Sequence, residues 1–204
     1  MAGLGFKDFA NGNVLTGDEL DGYLMQQSVM RFANAAARDN ALTAVKADGM
    51  LAYTTADTVL AQYDGNGWVP LESQWQTWTP SWTGGTTSPS FGSAPRTGHW
   101  RYAGGMVVGY FKVTMNASTT YGNGAWLLSL PVNAHADWAF TAPVGQVSCF
   151  DASASALMQR DAWTVGSPSS FGIGDQSGTR IAAALPFTWT TNDILTVSVR
   201  YRPA

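Results

Sequence analysis

The sequence predicts a mainly β protein in which a small N-terminal α+β module, residues 1–72, precedes an antiparallel, jelly-roll-like β-sandwich head, residues 73–204. The second part contains several short segments in which apolar and polar residues alternate with a period of two. Gly, Pro, Asn and Ser separate these segments, and no long helical stripe interrupts them. The first part instead combines two helix-start signals with a β-meander.

The first helix signal is the segment Thr16-Gly17-Asp18-Glu19. It has the spacing of a capping box, in which the Thr and Glu side chains each accept a hydrogen bond from a free backbone N–H. Leu20, Tyr23, Leu24 and Gln27 follow at positions i, i+3, i+4 and i+7. This spacing predicts a helix with a narrow stripe that is apolar except at its last residue.

A second helix and a β-meander complete the first part. Residues 28–32 are predicted to be extended, and Asn34 can cap a short helix over residues 35–42. The predicted strands of the meander are residues 50–53, 59–63 and 68–69, with turns at residues 55–57 and 64–67. Because units of about 60 residues bury little core, we expect this module to need association with other copies.

The second part opens with the aromatic segment 75–82 and then gives the clearest strand patterns. In each of three segments the apolar side chains share one face, as in a strand with one buried side. These sets are Val107, Gly109, Phe111, Val113 and Met115; Trp126, Leu128 and Leu130; and Leu195, Val197, Val199 and Tyr201.

The composition excludes several classes of partner. Charged residues make up only 12% of the chain and the net charge is −3, so no basic stripe is present to bind nucleic acid. No run approaches the roughly 20 apolar residues of a membrane span, and the start of the chain does not resemble a signal peptide, so we expect no membrane insertion. Low charge also indicates permanent contacts with other subunits.

Residues that could carry catalysis, metal or cofactor chemistry are scattered along the chain. Cys149 is the single cysteine and is predicted to be a buried small hydrophobe. His99 and His135 lie far apart and lack neighbouring ligands, although symmetry in an oligomer leaves a shared ion open. The acidic candidates are assigned to turns: Asp137, Asp151, Asp161, Asp175 and Asp193. No Gly-x-Ser-x-Gly or dinucleotide loop occurs. We therefore predict no enzymatic activity, no cofactor and no metal site.

Four segments in series resemble the N-terminal module of bacteriophage minor tail and tail-fibre proteins. They are residues 12–16, 25–30 and 32–39, and the end of the meander at Tyr63-Asp64-Gly65-Asn66-Gly67-Trp68. The head resembles phage receptor-binding heads in three short segments, residues 78–80, 130–131 and 185–189.

The resemblance implies a homotrimer in the virion, at the tail tip or particle surface, after assembly in the host cytoplasm. Its N-terminal part binds other phage tail proteins, and its head faces a host surface glycan or protein. Candidate residues for attachment or oligomerisation are Phe6, Phe9, Leu20, Leu24, Tyr53, Tyr63 and Trp68.

Aromatic and small polar residues in loops are suited to recognising sugars and protein epitopes. On this basis the candidate receptor contacts are Tyr121, Asn123, His135, Asp137, Trp138 and Trp163. Two alternative functions are also considered for this sequence. A capsid decoration, collar or tail protein would share the fold without touching a receptor, and a glycan depolymerase would need a pair of carboxylates that the sequence does not display.

Overall fold

Strands dominate the protein and form a large mixed sheet, which confirms the prediction of a mainly β chain. The computed structural model describes residues 12, 14, 16–24, 28–138, 142–174 and 179–204, without the side chains of residues 22 and 24. In the described residues the strands are β1 Val29–Phe32, β2 Leu51–Thr54, β3 Val59–Tyr63, β4 Trp68–Ser73, β5 Gln76–Thr77, β6 Trp82–Thr83, β7 Arg96–Ala103, β8 Met106–Thr114, β9 Leu127–Ser129, β10 Pro143–Asp151, β11 Ala156–Thr164, β12 Ser170–Gly174 and β13 Ile194–Tyr201.

The helices are short, and both predicted caps form. Helix α1 spans Gly17–Glu19 and continues as a π-helical turn, Leu20–Leu24. The Thr16 hydroxyl accepts from the Glu19 N–H at 3.2 Å and the Glu19 carboxylate accepts from the Thr16 N–H at 3.0 Å, so the predicted capping box is present. Helix α2 spans Ala35–Ala41, and the Asn34 side chain accepts from the Ala37 N–H at 2.9 Å.

The described structure divides into two compact units. The first contains Met1–Gln74 and the hairpin tip Tyr102–Gly105, and the second contains Trp75–Arg101 and Met106–Ala204. The predicted division after residue 72 lies near Gln74, but the sequence had placed the hairpin tip with the second part. The tip joins the first unit because Ala103 pairs with Glu72 of β4 and the Gly104 N–H donates to the Glu72 carboxylate at 3.0 Å.

The first unit contains the predicted meander together with an additional parallel strand. Strands β2, β3 and β4 pair as antiparallel neighbours. Strand β1 pairs with β2 in parallel, with Val29 opposite Leu51, and α2 lies in the connection between them. A parallel pair requires such a crossover because the chain must return to the same end of the sheet. The sequence predicted the extended segment at residues 28–32 but not its partner.

The second unit is built from antiparallel pairs. Its strands follow the order β7-β8-β13-β10-β11-β12-β9-β6, and β5 pairs with β7. The three predicted alternating segments each bury the predicted face: Phe111, Leu128 and Leu195 are all fully buried. Strand β13 lies between β8 and β10, so the C-terminal segment occupies the centre of the sheet.

Aromatic rings fill much of the core of the second unit. Trp82 of β6 stacks on Phe91 at 4.7 Å between ring centroids, and Phe91 contacts Phe111 of β8 at 5.5 Å. Trp126 contacts Trp82 edge-on at 4.6 Å and Trp189 at 5.2 Å. Rings at these separations favour tilted or offset packing, and each buries a large apolar area. These contacts bring β6 and β8 together across the core although the two strands are far apart in the sheet order.

Candidate functional site

Tyr121 and Asn123 lie in the loop that joins β8 to β9. The Tyr121 ring stacks on buried Trp126 with centroids 6.3 Å apart, and its carbonyl accepts from the Trp126 Nε1–H at 3.0 Å. Burial raises the pKa of Tyr121, and the negative charge of Asp193 adds to the increase. Tyr121 therefore covers the edge of the core, whereas the exposed Asn123 side chain faces solvent.

His135, Asp137 and Trp138 lie together in the loop between β9 and β10. Residues Ala136–Trp138 form a 3₁₀ turn, and His135 Nδ1 lies 3.1 Å from the Asp137 carboxylate. The loop is held to the C-terminal segment because the His135 N–H donates to the Arg202 carbonyl at 2.9 Å. Asp137 is exposed and Trp138 is half-buried, so this loop offers a ring, a carboxylate and an imidazole on one short turn.

Trp163 lies in strand β11, which corrects the placement of residues 161–163 in a loop. Asp161 lies in the same strand and pairs with Gly174 of β12, so its predicted turn is wrong. Trp163 is half-buried, and its ring covers Gly174 so closely that an added Cβ would lie 2.5 Å from Trp163 Cη2. This ring is held in place by packing against the backbone. Asp151 and Asp193 do bond turn N–H groups as predicted, and Asp175 lies outside the described residues.

The six predicted receptor contacts do not form one site. Strand β8 ends at Thr114 opposite Ile194, where β13 begins, and the loop with Tyr121 and Asn123 follows at this end of the sheet. From β13 the antiparallel pairing continues through β10, β11 and β12 to β9, which runs from Leu127 to Ser129 toward the opposite end of the sheet. The His135–Trp138 loop follows β9, so it lies at that opposite end. Trp163 lies there too, because it pairs with Pro143 at the start of β10. The two loops therefore present separate surfaces.

An exposed aromatic cluster on the outer face of the second unit was missed by the sequence prediction. We call Trp75, His99, Arg101 and Tyr110 the outer aromatic cluster. Trp75 is 52% exposed and Tyr110 is 42% exposed, and their rings meet edge-on at 6.0 Å. His99 Nδ1 lies 3.0 Å from the Tyr110 hydroxyl, and the Arg101 guanidinium lies 5.2 Å from the Trp75 ring centre.

Strand pairing explains how the outer aromatic cluster forms. Tyr110 is exposed and directly precedes fully buried Phe111 on β8, and successive side chains of a strand point to opposite faces, so the Tyr110 side chain points away from the core. β7 carries His99 and Arg101 beside it, and β5 pairs with β7 through His99 opposite Thr77. The alternation around Tyr110 was visible in the sequence. The neighbours of Tyr110 were not, because Trp75 is 35 positions away in the chain.

The outer aromatic cluster has the chemistry of a carbohydrate platform. Exposed indole and phenol rings offer flat apolar faces to the C–H faces of a sugar, and the imidazole, phenol and guanidinium groups offer hydrogen bonds at the rim. Tyr110 lies on β8, Trp75 directly precedes β5, and the two rings pack against each other, so little side-chain entropy is lost on binding.

The predicted attachment residues are spread over the first unit. Tyr53 and Tyr63 are half-buried in β2 and β3, and Tyr63 contacts Trp68 at 5.5 Å. The buried Arg38 guanidinium lies 4.4 Å from the Trp68 ring centre and also pairs with Asp39, which lowers the pKa of that carboxyl. Leu20 is 43% exposed. Phe6, Phe9 and the side chain of Leu24 lie outside the described residues.

Within the described part of the chain, no three His, Cys, Asp or Glu side chains come together as metal ligands, and no helix is long and apolar enough to cross a bilayer. Cys149 is fully buried on β10, and burial raises the pKa of its thiol to about 12. Comparisons of the chain with models of known protein families, with curated proteins and with solved structures found no match.

Proposed function

We propose that the protein is a non-enzymatic component of a bacteriophage particle, a tail-fibre or tail-tip protein whose second unit binds a glycan on the host surface. The outer aromatic cluster carries this proposal, because it presents two large exposed rings that contact each other next to hydrogen-bonding groups. Contiguous exposed apolar surface that is rimmed by polar groups is typical of interaction sites on soluble proteins.

The first unit is proposed to attach the protein to the particle as a homotrimer. The support is the order of the sequence elements that resemble tail-fibre modules, together with the capping box and meander that the described residues display. The small size of this unit favours association with other copies or with a neighbouring tail protein.

The second unit is proposed to be an antiparallel sandwich of the jelly-roll kind. Contacts from Trp82 through Phe91 to Phe111 support this reading, since they join strands that lie far apart in the sheet order across a shared aromatic core. Two layers facing each other over such a core are typical of a sandwich.

Adsorption of the purified protein to susceptible cells tests the proposal. We expect Trp75→Ala to reduce adsorption at least tenfold, because the exposed ring supplies most of the flat surface. Tyr110→Phe keeps the ring but removes the hydroxyl that contacts His99, so it should cause a smaller loss. Val45→Ala, which trims an apolar side chain of 42% exposure in the first unit, is the matched control.

Three results would redirect the assignment. A trimer by light scattering that ignores host cells would favour the capsid decoration or collar alternative. Loss of host polysaccharide viscosity on incubation would favour a depolymerase. Adsorption that is unchanged in a Trp75→Ala protein with parental melting behaviour would remove the outer aromatic cluster from the receptor site.

A further inference from the structure

A small cavity in the second unit is lined by two arginines. It has a volume of roughly 160 Å³, and its walls are Arg160, Thr179, Arg180, Ile181, Leu185 and Pro186. It is distinct from the outer aromatic cluster and from both predicted receptor loops, none of which contributes a lining residue. Two cationic side chains at one small opening repel each other unless an anion neutralises them.

Arg160 reaches this cavity from the core face of the sheet. On β11 it pairs with Val147 of β10, and paired residues share a face of the sheet. Val147 and Ala162, the next residue on that face, are both buried. An arginine on such a face is normally satisfied by an acidic partner.

Among the described residues, no acidic side chain pairs with either arginine. One Arg160 nitrogen, Nη1, donates to the Gln159 carbonyl at 2.7 Å, which uses one of five guanidinium N–H groups. Arg180 is fixed through its backbone, which bridges to Gly174 of β12. Both guanidinium groups thus retain N–H donors next to the cavity, and pairing with neighbouring strands fixes the backbone of each arginine.

Three other lining residues, Ile181, Leu185 and Pro186, are apolar, and hydrogen bonds hold the backbone around them. Leu185 exchanges backbone hydrogen bonds with Ala182, and its carbonyl accepts from the Trp189 Nε1–H at 2.9 Å. Ile181 is buried, and its N–H donates to the Ile173 carbonyl at 2.8 Å. Since Trp189 is itself a core residue, the wall keeps its place before any ligand binds.

We propose that this cavity binds an oxyanion carried by a sugar ring. Guanidinium groups bind carboxylates and phosphates through paired hydrogen bonds, and the Ile181, Leu185 and Pro186 wall provides an apolar face for the ring. Two sources have this chemistry: the carboxylate of a uronic acid and the phosphate of a sugar phosphate. The site is separate from the proposed receptor surface and does not depend on the tail-fibre assignment.

Calorimetric titration of the full-length protein separates these sources. The probes are methyl glucuronide, glucose 6-phosphate, inorganic phosphate and the neutral methyl glucoside. We expect one of the two charged sugars to bind at least tenfold more tightly than methyl glucoside and than inorganic phosphate, with affinity that falls as salt is added. The tighter charged sugar identifies the source of the oxyanion.

Variants locate the site. Arg160→Gln and Arg180→Gln should each weaken binding of the charged sugar at least tenfold, whereas Arg200→Gln, at an exposed position of β13, should leave it unchanged. Thermal melting of each variant shows whether the fold is retained, and Arg160→Lys keeps the charge if the glutamine variant is unstable. Equal binding of charged and neutral sugars, no binding of either charged sugar, or retained affinity in folded Arg160 and Arg180 variants would overturn the proposal.

Discussion

Cys149 illustrates how burial determines the chemistry of a single residue. Its thiol pKa is raised from 9.0 to about 12 because the thiolate would lose its hydration in the sheet interior. We expect almost no reaction with a thiol reagent at pH 9 in the folded protein and complete reaction once the protein is unfolded in guanidinium. Rapid labelling of the folded protein at pH 9 would contradict the burial of Cys149.

The same pKa shift has a consequence for stability. Above pH 9 the unfolded chain loses the thiol proton while the folded chain keeps it, so the free energy of unfolding falls as pH rises toward 12. Tyr102 and Tyr121 also have raised pKa values and contribute in the same direction. In Cys149→Ala this alkaline loss, measured by denaturant unfolding from pH 8 to 11, should be smaller than in the parent.

Asp193 is a fully buried carboxylate with a structural role in the second unit. It accepts from the Ala152 N–H at 2.9 Å and the Thr190 N–H at 2.6 Å, and so joins two turns that are distant in sequence. Asp193→Ala removes the acceptor from both N–H groups and should lower the free energy of unfolding by about 2–4 kcal/mol.

Denaturant unfolding measures this loss, and two variants control it. Asp193→Asn retains one carbonyl acceptor and should lose less than Asp193→Ala. Asp137→Asn, at an exposed site in the same unit, should change stability by less than about 0.5 kcal/mol. If Asp193→Ala unfolds at the same denaturant concentration as the parent, these hydrogen bonds do not stabilise the second unit.

At the scale of single elements, helix α2 of the first unit depends on its cap. The Asn34 side chain accepts from the Ala37 N–H at 2.9 Å, and the helix spans only Ala35–Ala41. Asn34→Ala should therefore lower the stability of this unit by about 1 kcal/mol, whereas Asn34→Ser keeps an acceptor and should lose less. Asn40→Ala, at an exposed position of the same helix, should be neutral or stabilising in a thermal melt. Equal melting of Asn34→Ala and Asn40→Ala would show that the cap does not contribute.

Elements specified by neighbours in sequence were predictable, and elements specified by distant partners were not. The caps at Thr16 and Asn34 depend on residues three positions away, and the buried face of β8 follows from alternation within one segment. The parallel pairing of β1 with β2 and the central position of β13 depend on contacts between separated segments. No local pattern carries that information.

The same distinction applies to the candidate sites. Loop composition identified Tyr121 and Trp138, but strand order placed them at opposite ends of the sheet. The outer aromatic cluster requires β5, β7 and β8 to be neighbours, and the arginine cavity requires Arg160 to lie near a segment some twenty positions later in the chain. Recognition surfaces of this kind become visible only when the pairing of the strands is known.

At the scale of the whole molecule, the proposed trimer needs an apolar surface that a monomer would leave in water. Leu157 on β11 is 62% exposed, and it lies opposite Phe150 of β10, which in turn lies opposite Ile194 of β13. These three residues therefore form an apolar patch on the outer face of the second unit. With only 12% charged residues in the chain, little charge is available to keep copies apart.

We expect Leu157→Lys to shift the protein from trimer toward monomer, because a buried lysine at a subunit contact would lose its hydration without an acidic partner. Light scattering at a series of protein concentrations measures the shift. Ala117→Lys, which adds the same charge at an exposed position of the β8–β9 loop, should leave the mass unchanged. A parent protein that is monomeric at every concentration would refute the trimer. A trimer that persists in Leu157→Lys would place the subunit contact on another face. Substitutions in the first unit would then be the next test of where the subunits meet.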